Sequence, residues 1–256
     1  MGDAGAPVTS QRFGQLASFL PDCPSTQDIV RASAAAGAPE GFVAVTEFQS
    51  AGRGRQGRGW VAPPGQGLLL SLLLRPQTPV ERLSPLALVA GIAVAESLPV
   101  PARVRWPNDV VVGGAKVAGV LAELEALPGR PPWVALGIGI NVNVPAAELP
   151  ETDRLPATSI LLETGGLTDR LALLGDVIDR LQAAYREFEA LGFRTLLDRW
   201  AALDALAGLD VELELGSGTR RGTVLGVDAD GRLLLRGDDG EDAAFASGEI
   251  VRVHDA

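Results

Sequence analysis

Residues 67–74, Gly-Leu-Leu-Leu-Ser-Leu-Leu-Leu, are apolar apart from one serine, which predicts a strand buried on both faces. The stretch 41–48 predicts a second strand. A different period governs 170–191. There Leu174, Val177, Ile178, Leu181, Tyr185 and Phe188 fall on one face of a 3.6-residue repeat, which predicts a long helix. Ser84 followed by Pro85 marks the start of another helix over 84–98, with serine as cap and proline at the first helical position. Gly113-Gly114 between 110–112 and 116–124 predicts a hairpin. The apolar stretch 133–144, interrupted by Gly137 and Gly139, reads as a strand pair or a strand plus turn. A further helix is expected over 193–206. From 208 onward the texture changes to short alternating strands at 211–215, 221–227, 232–235, 242–245 and 249–253, separated by glycine-bearing turns. That pattern is a small barrel of roughly fifty residues or fewer. Before residue 25 the only element indicated is one short helix, about 10–20.

Composition narrows the class. The chain has 256 residues, 46% hydrophobic and 21% charged, enough apolar side chain to offset the entropy of ordering it. No apolar run approaches the ~18 residues of a membrane span, and the first ten residues lack the basic and apolar pattern of a signal peptide. With one cysteine, Cys23, there is no internal disulfide, and a cytoplasmic setting is the expectation. The net charge of −10 argues against a general nucleic-acid coat. One histidine and one cysteine exclude a His/Cys zinc site within a single chain. The histidine, His254, lies three residues from the end, so the chemistry is expected to proceed without imidazole.

Three strings carry chemistry. Gly52-Arg-Gly-Arg-Gln-Gly-Arg-Gly-Trp60 removes Cβ atoms that would keep backbone N–H groups from a ligand. It adds three guanidinium forks suited to phosphate or carboxylate, and a flat indole. These parts suit a nucleotide phosphate with a ring nearby. The Gly-Lys-Ser/Thr ending of a Walker loop is absent. The bland alternative is an RG-rich surface loop or a nucleic-acid contact. Arg105-Trp-Pro-Asn-Asp109 precedes Lys116-Val-Ala-Gly119 across the hairpin. Asp109 suits magnesium and Lys116 is a point charge, but taken alone the string is better read as turn chemistry and a solvated strand lysine. Gly137-Ile-Gly-Ile-Asn-Val-Asn143 leaves one strand face bare for a close approach, with Asn141 and Asn143 as polar partners.

Taken in order, Ser25-Thr26, the string from Glu47 to Trp60, Trp106-Pro-Asn-Asp109, Lys116-Val-Ala-Gly119 and Gly137-Ile-Gly-Ile-Asn141 resemble the signature series of biotin protein ligases. Residues 222–231 and Gly248-Glu-Ile250 resemble that family's small C-terminal barrel. The resemblance implies an α/β (α+β) fold, with a class II synthetase-like catalytic domain of mixed sheet and flanking helices plus an SH3-like barrel. It divides the chain into an N-terminal segment, 1–24, a catalytic domain, 25–207, and a barrel, 208–256. It implies ATP and magnesium as cofactors, biotinyl-adenylate as intermediate, and a lysine of a biotin carboxyl carrier domain, as in acetyl-CoA carboxylase, as acceptor.

The resemblance assigns Lys116 and Arg55 to catalysis. Ser25, Thr26, Gln27, Gln49, Gly52, Arg53, Gly54, Arg55, Lys116 and Gly119 fall to biotin. Arg55, Arg58, Trp60, Asn108 and Asn141 fall to ATP, with Trp60 near adenine, and Asp109 to magnesium. Gln27 stands where the family usually has asparagine, and Arg105 where it commonly has lysine. No helix-turn-helix domain is expected before Ser25, so no DNA partner, and no membrane partner; a homodimer is compatible with the family. A lipoate or octanoate ligase shares the architecture, but the glycine–arginine loop and the barrel favour biotin. A nucleic-acid module and a catalytically silent biotin sensor are the remaining rivals.

Overall fold

The computed structural model of the protein describes residues 12–126, 129–152 and 155–254. The leucine run forms β3 (Gly67–Leu74), every residue of it buried. Alternate leucines serve different faces, as a two-residue repeat requires. Leu68, Leu70, Leu72 and Leu74 join the main core, while Leu73 packs with Val30, Ala34, Phe42, Ala44 and Ala135 in a smaller one on the opposite side.

Six strands join β3: β1 (Ala17–Leu20), β2 (Val43–Thr46), β4 (Arg103–Arg105), β5 (Asp109–Val112), β6 (Ala115–Glu125) and β7 (Trp133–Asn141). The sheet order is β1-β2-β3-β7-β6-β5-β4, with β1 and β2 parallel and all other pairs antiparallel. The main core lies under α2 (Leu86–Ser97) and α4 (Arg170–Leu191). The smaller one lies under α1 (Thr26–Ala35). Two short helices, α3 (Ile160–Thr164) and α5 (Leu197–Leu203), close the unit. The second unit is a five-stranded antiparallel sheet of β8 (Asp210–Leu215), β9 (Gly218–Val227), β10 (Leu233–Arg236), β11 (Asp242–Phe245) and β12 (Glu249–His254), in the order β11-β10-β9-β8-β12. Among the described residues no helix is long and apolar enough to cross a membrane.

Several expectations change. Residues 133–144 form a strand, β7, followed by a bend at 142–143, the strand-plus-turn form, but Gly137 and Gly139 do not interrupt the strand, because both pair in register with β3 and β6. The short helix at about 10–20 is replaced by β1, whose pairing with β2 makes it the edge of the large sheet; residues 10 and 11 lie outside the described residues. Pro85, not Ser84, is the N-cap of α2; its carbonyl accepts from Leu88 and Val89. The helix over 193–206 divides into a 3₁₀ turn, Phe193–Leu196, and α5, which stops at extended Asp204. Asp204, 4% exposed, caps the following turn by accepting from Leu206 N–H at 2.8 Å. Helix α1 was not expected at all.

A β-bulge positions the site. β5 and β6 slip register between Val110 and Val111, so that Val110 faces Ala118 but Val111 faces Lys116. Strict alternation puts residues three apart on opposite faces. The bulge places Lys116 on the same face as Gly119 and sends Val117 and Ala118 together into the core.

Candidate active site

The loop between β2 and β3 folds back over the sheet face that carries Gly119, Gly137 and Gly139, enclosing a cavity of about 540 Å³. Within the loop Arg53 bridges Gly59, Gly54 N–H donates to Arg58, and Trp60 N–H donates to Gly52. The tip turns at Gln56 and Gly57, both at positive φ (56° and 74°). Gly52 is obligatory for this closure, since a Cβ there would lie 2.3 Å from the Trp60 carbonyl oxygen.

The indole of Trp60 occupies the bare face of the sheet. A Cβ at Gly139 would meet its Cε2 at 2.4 Å and one at Gly119 its Cζ3 at 2.9 Å. Lys116 Nζ lies 5.4 Å from the ring centroid, a cation–π distance, and 2.6 Å from Asp109 Oδ1. That pair is electrostatic, without the alignment of a hydrogen bond. Trp60 Nε1 is buried with no protein partner among the described residues, a donor available to a ligand.

One end of the cavity is neutral and built for hydrogen bonding. Ser25, Thr26 and Gln27, at the start of α1, are at most 3% exposed. Gln49 Oε1 accepts from Thr26 N–H (2.8 Å) and from its hydroxyl (3.1 Å). Ser71 Oγ, 2.7 Å away, therefore donates to Thr26 Oγ1. These bonds leave the Gln49 amide hydrogens without a protein acceptor among the described residues. Gln27 donates Nε2 to the carbonyls of Leu121 (2.9 Å) and Ala135 (3.4 Å), leaving its own oxygen as an acceptor. Gly137 makes room for this amide, as a Cβ would sit 2.9 Å from Nε2.

The other end is cationic. Arg55 donates to Asn108 Oδ1 (3.2 Å) and to the Gly248 carbonyl (3.3 Å), while Asn108 donates to Val120 O at 2.8 Å. Burial lowers the Arg55 and Arg105 pKa values, opposed by Asp109 and Glu249, yet a guanidinium remains charged at neutral pH. Arg105 donates to the Ile250 carbonyl at 3.2 Å, tying the Trp-Pro-Asn-Asp turn to the C-terminal sheet. Arg58 forms an ion pair with Glu249.

The structure thus gathers the sequence-selected residues around one cavity, with four differences in detail. Gly52 packs beneath Trp60 and does not line the wall. Arg53 lines the cavity, but its guanidinium pairs with Asp28 and Glu123. Asn141 also lines it, 4% exposed, and donates to the Thr158 carbonyl. Asn143 instead holds the chain before α4 through Thr168. Ser71, Glu249 and the wall at Leu155 and Ala157 were not anticipated. The serine that breaks an all-leucine run was the one available signal among them.

Known proteins are similar to this chain in sequence and fold. Residues 21–141 match the Biotin/lipoate A/B protein ligase family, and residues 208–253 match the biotin protein ligase C-terminal domain. The chain is 34% identical over 237 residues to the bifunctional ligase/repressor BirA of Bacillus spizizenii, covering 91% of this chain and 73% of that one. It is 33% identical over 239 residues to the biotin–[acetyl-CoA-carboxylase] ligase of Mycobacterium tuberculosis, covering 90% and 86%. The solved structure of the Aquifex aeolicus biotin protein ligase in complex with biotin and ATP superimposes with a TM-score of 0.78 at 29% identity, covering 94% of this chain and all of that one. The chain belongs to the biotin protein ligase family.

Proposed function

We infer that the protein is an ATP-dependent ligase that activates biotin as biotinyl-5′-AMP and transfers it to a lysine of a carrier domain. The carrier is that of acetyl-CoA carboxylase or a related carboxylase, and with these substrates the protein works in the cytoplasm. One observation carries the reading: a single cavity has a neutral hydrogen-bonding end and a cationic end above a floor of glycines. The ureido ring of biotin offers one carbonyl and two N–H groups. The Gln49 amide hydrogens complement the carbonyl; Gln27 Oε1 and the hydroxyls of Ser25 and Thr26 complement the N–H groups. The carboxylate then points to the cationic end.

In the first half-reaction a biotin carboxylate oxygen attacks the α-phosphorus of ATP, and the bond to the β-phosphate oxygen breaks, releasing pyrophosphate. Two anions must approach each other, so fixed cations and N–H donors carry most of the catalysis. Lys116 at the floor and Arg55 at the wall flank the junction, and the loop amides supply further donors. Trp60 holds Lys116 by its ring face and covers the floor against water. In the second half-reaction the acceptor amine attacks the acyl carbon and AMP leaves.

Magnesium characteristically enters with nucleotide phosphates and takes one or two carboxylates. The residues fit that mode and no closed metal cage: among the described residues no group of three His, Cys, Asp or Glu side chains is placed to hold an ion. Asp109 on the cavity wall would contribute one oxygen, and the ion would neutralise departing pyrophosphate. The test is adenylate formation. Biotin with ATP should release pyrophosphate, and lipoate in excess should not compete; efficient competition by lipoate, or no pyrophosphate, overturns the reading.

A further inference from the structure

The three arginines of the loop have separate fates. Arg55 faces Asn108 and Arg58 meets Glu249, while Arg53 turns to the opposite side. Its Nη1 donates to Asp28 Oδ1 on α1 at 2.8 Å and its Nη2 to Glu123 Oε2 on β6 at 3.4 Å. Arg31, one helical turn beyond Asp28, stands 3.6 Å from Asp28 and 3.5 Å from Glu123. Two guanidiniums and two carboxylates therefore close a four-membered ring with no net charge.

This ring joins three parts of the cavity. Asp28 follows Thr26 and Gln27 in the first turn of α1; Glu123 lies two residues beyond Leu121 on β6; Arg53 opens the covering loop, where it bridges Gly59. We propose that Asp28, Glu123 and Arg31 are positioning residues that hold the glycine–arginine loop closed over the acyl-adenylate. They determine how long the intermediate is retained and how little of it reaches stray lysines. The proposal rests on the ligase reading above and adds residues outside the family motifs to it.

The placement of the ring separates closure from fold. Its side chains are 29% to 47% exposed, and ion pairs so exposed contribute little to global stability. A loop that must open for substrate and close for chemistry sits near balance, so the same small energy shifts its populations measurably. Both guanidinium ends of Arg53 are held by carboxylates outside the cavity, whereas Arg55 and Lys116, with their partners Asn108 and Asp109, face into it toward the reacting anions.

The experiment compares the parent with Asp28→Asn, Glu123→Gln, the double variant and the milder Arg31→Gln. Preformed labelled biotinyl-adenylate is chased with excess unlabelled adenylate, and labelling of albumin lysines is measured without carrier. Release and albumin labelling should rise on the order of tenfold in the double variant, less in Arg31→Gln. Adenylate formation should stay within about twofold and the melting temperature near the parent's. Added salt should hasten release from the parent more than from the double variant, since the ring's ion pairs are already broken there. Unchanged release in folded variants overturns the proposal, as does a fall in adenylate formation that parallels any rise in release. A parent that forms no adenylate overturns the ligase reading itself, a distinct result.

Discussion

Gly139→Ala adds one carbon where the indole of Trp60 now rests. The new Cβ would lie 2.4 Å from Cε2, 2.6 Å from Nε1 and 2.8 Å from Cδ2, all atoms of a rigid ring. Carbon atoms settle at roughly 3.5–4 Å, so the ring must retreat by at least about 1 Å. Gly139 does not adopt a positive φ, so alanine adds no backbone strain there. The fold should lose about 1–3 kcal/mol by overpacking. Activity should lose far more. Trp60 is bonded through its backbone to Gly52 and through its ring face to Lys116, so the displacement passes to the covering loop and to the cation at the floor. A misplacement of ~1 Å at a reacting centre costs up to about 10²-fold in rate. Pyrophosphate release in single-turnover mixtures with biotin and ATP reads the effect, with a thermal melt as the check on folding. Gly119→Ala, whose carbon would meet the far edge of the same ring at 2.9 Å, should show a smaller loss. Near-normal adenylation in folded Gly139→Ala would refute the argument, because the seat of the indole would then be irrelevant to catalysis.

Further outcomes follow from other groups. Lys116→Gln keeps length and polarity but removes the charge, so adenylate formation should fall by ~10²–10³-fold, while transfer from supplied adenylate to a carrier lysine falls less; separate assays of the two steps check this. Arg55→Ala should leave the fold intact and release adenylate faster, read by chase and by labelling of unrelated lysines. Buried Asp204 carries a pKa raised above 3.8, chiefly by desolvation. Its ionisation therefore opposes folding, and its stabilising contribution is greatest below the unfolded pKa and lost as pH rises through the folded one. Asp204→Asn should accordingly gain melting temperature relative to the parent between acid and neutral pH; a gap that is constant or shrinks across that range contradicts this.

The sequence was most legible where a single period dominated. The helix at 170–191 and the strand at 67–74 appear with the expected bounds because one-sided and two-sided burial each leave a distinct repeat. Helix α1 was not legible: its residues are largely alanine and polar, and its stability comes from packing on β2, β3 and β7. Glycines at 137 and 139 looked like interruptions because a lone strand is weakened by glycine. In the sheet they are what gives Gln27 and Trp60 room. The site residues were visible as motifs, but their partners were not. That Arg53 faces Asp28 and Glu123, and that Arg55 and Arg58 reach Gly248 and Glu249, depends on contacts between positions tens to hundreds of residues apart. The bulge in β6 likewise depends on how β5 pairs with it, which a two-residue pattern cannot encode.

The most direct test of the central claim is transfer itself. The protein, biotin, ATP and magnesium are incubated with a biotin carboxyl carrier domain and with the same domain carrying arginine in place of its acceptor lysine. The account predicts biotin attached to that lysine, with AMP and pyrophosphate formed in equal amounts, and no label on the arginine form. Absence of transfer despite adenylate formation, or equal labelling of the two carrier forms, would contradict it.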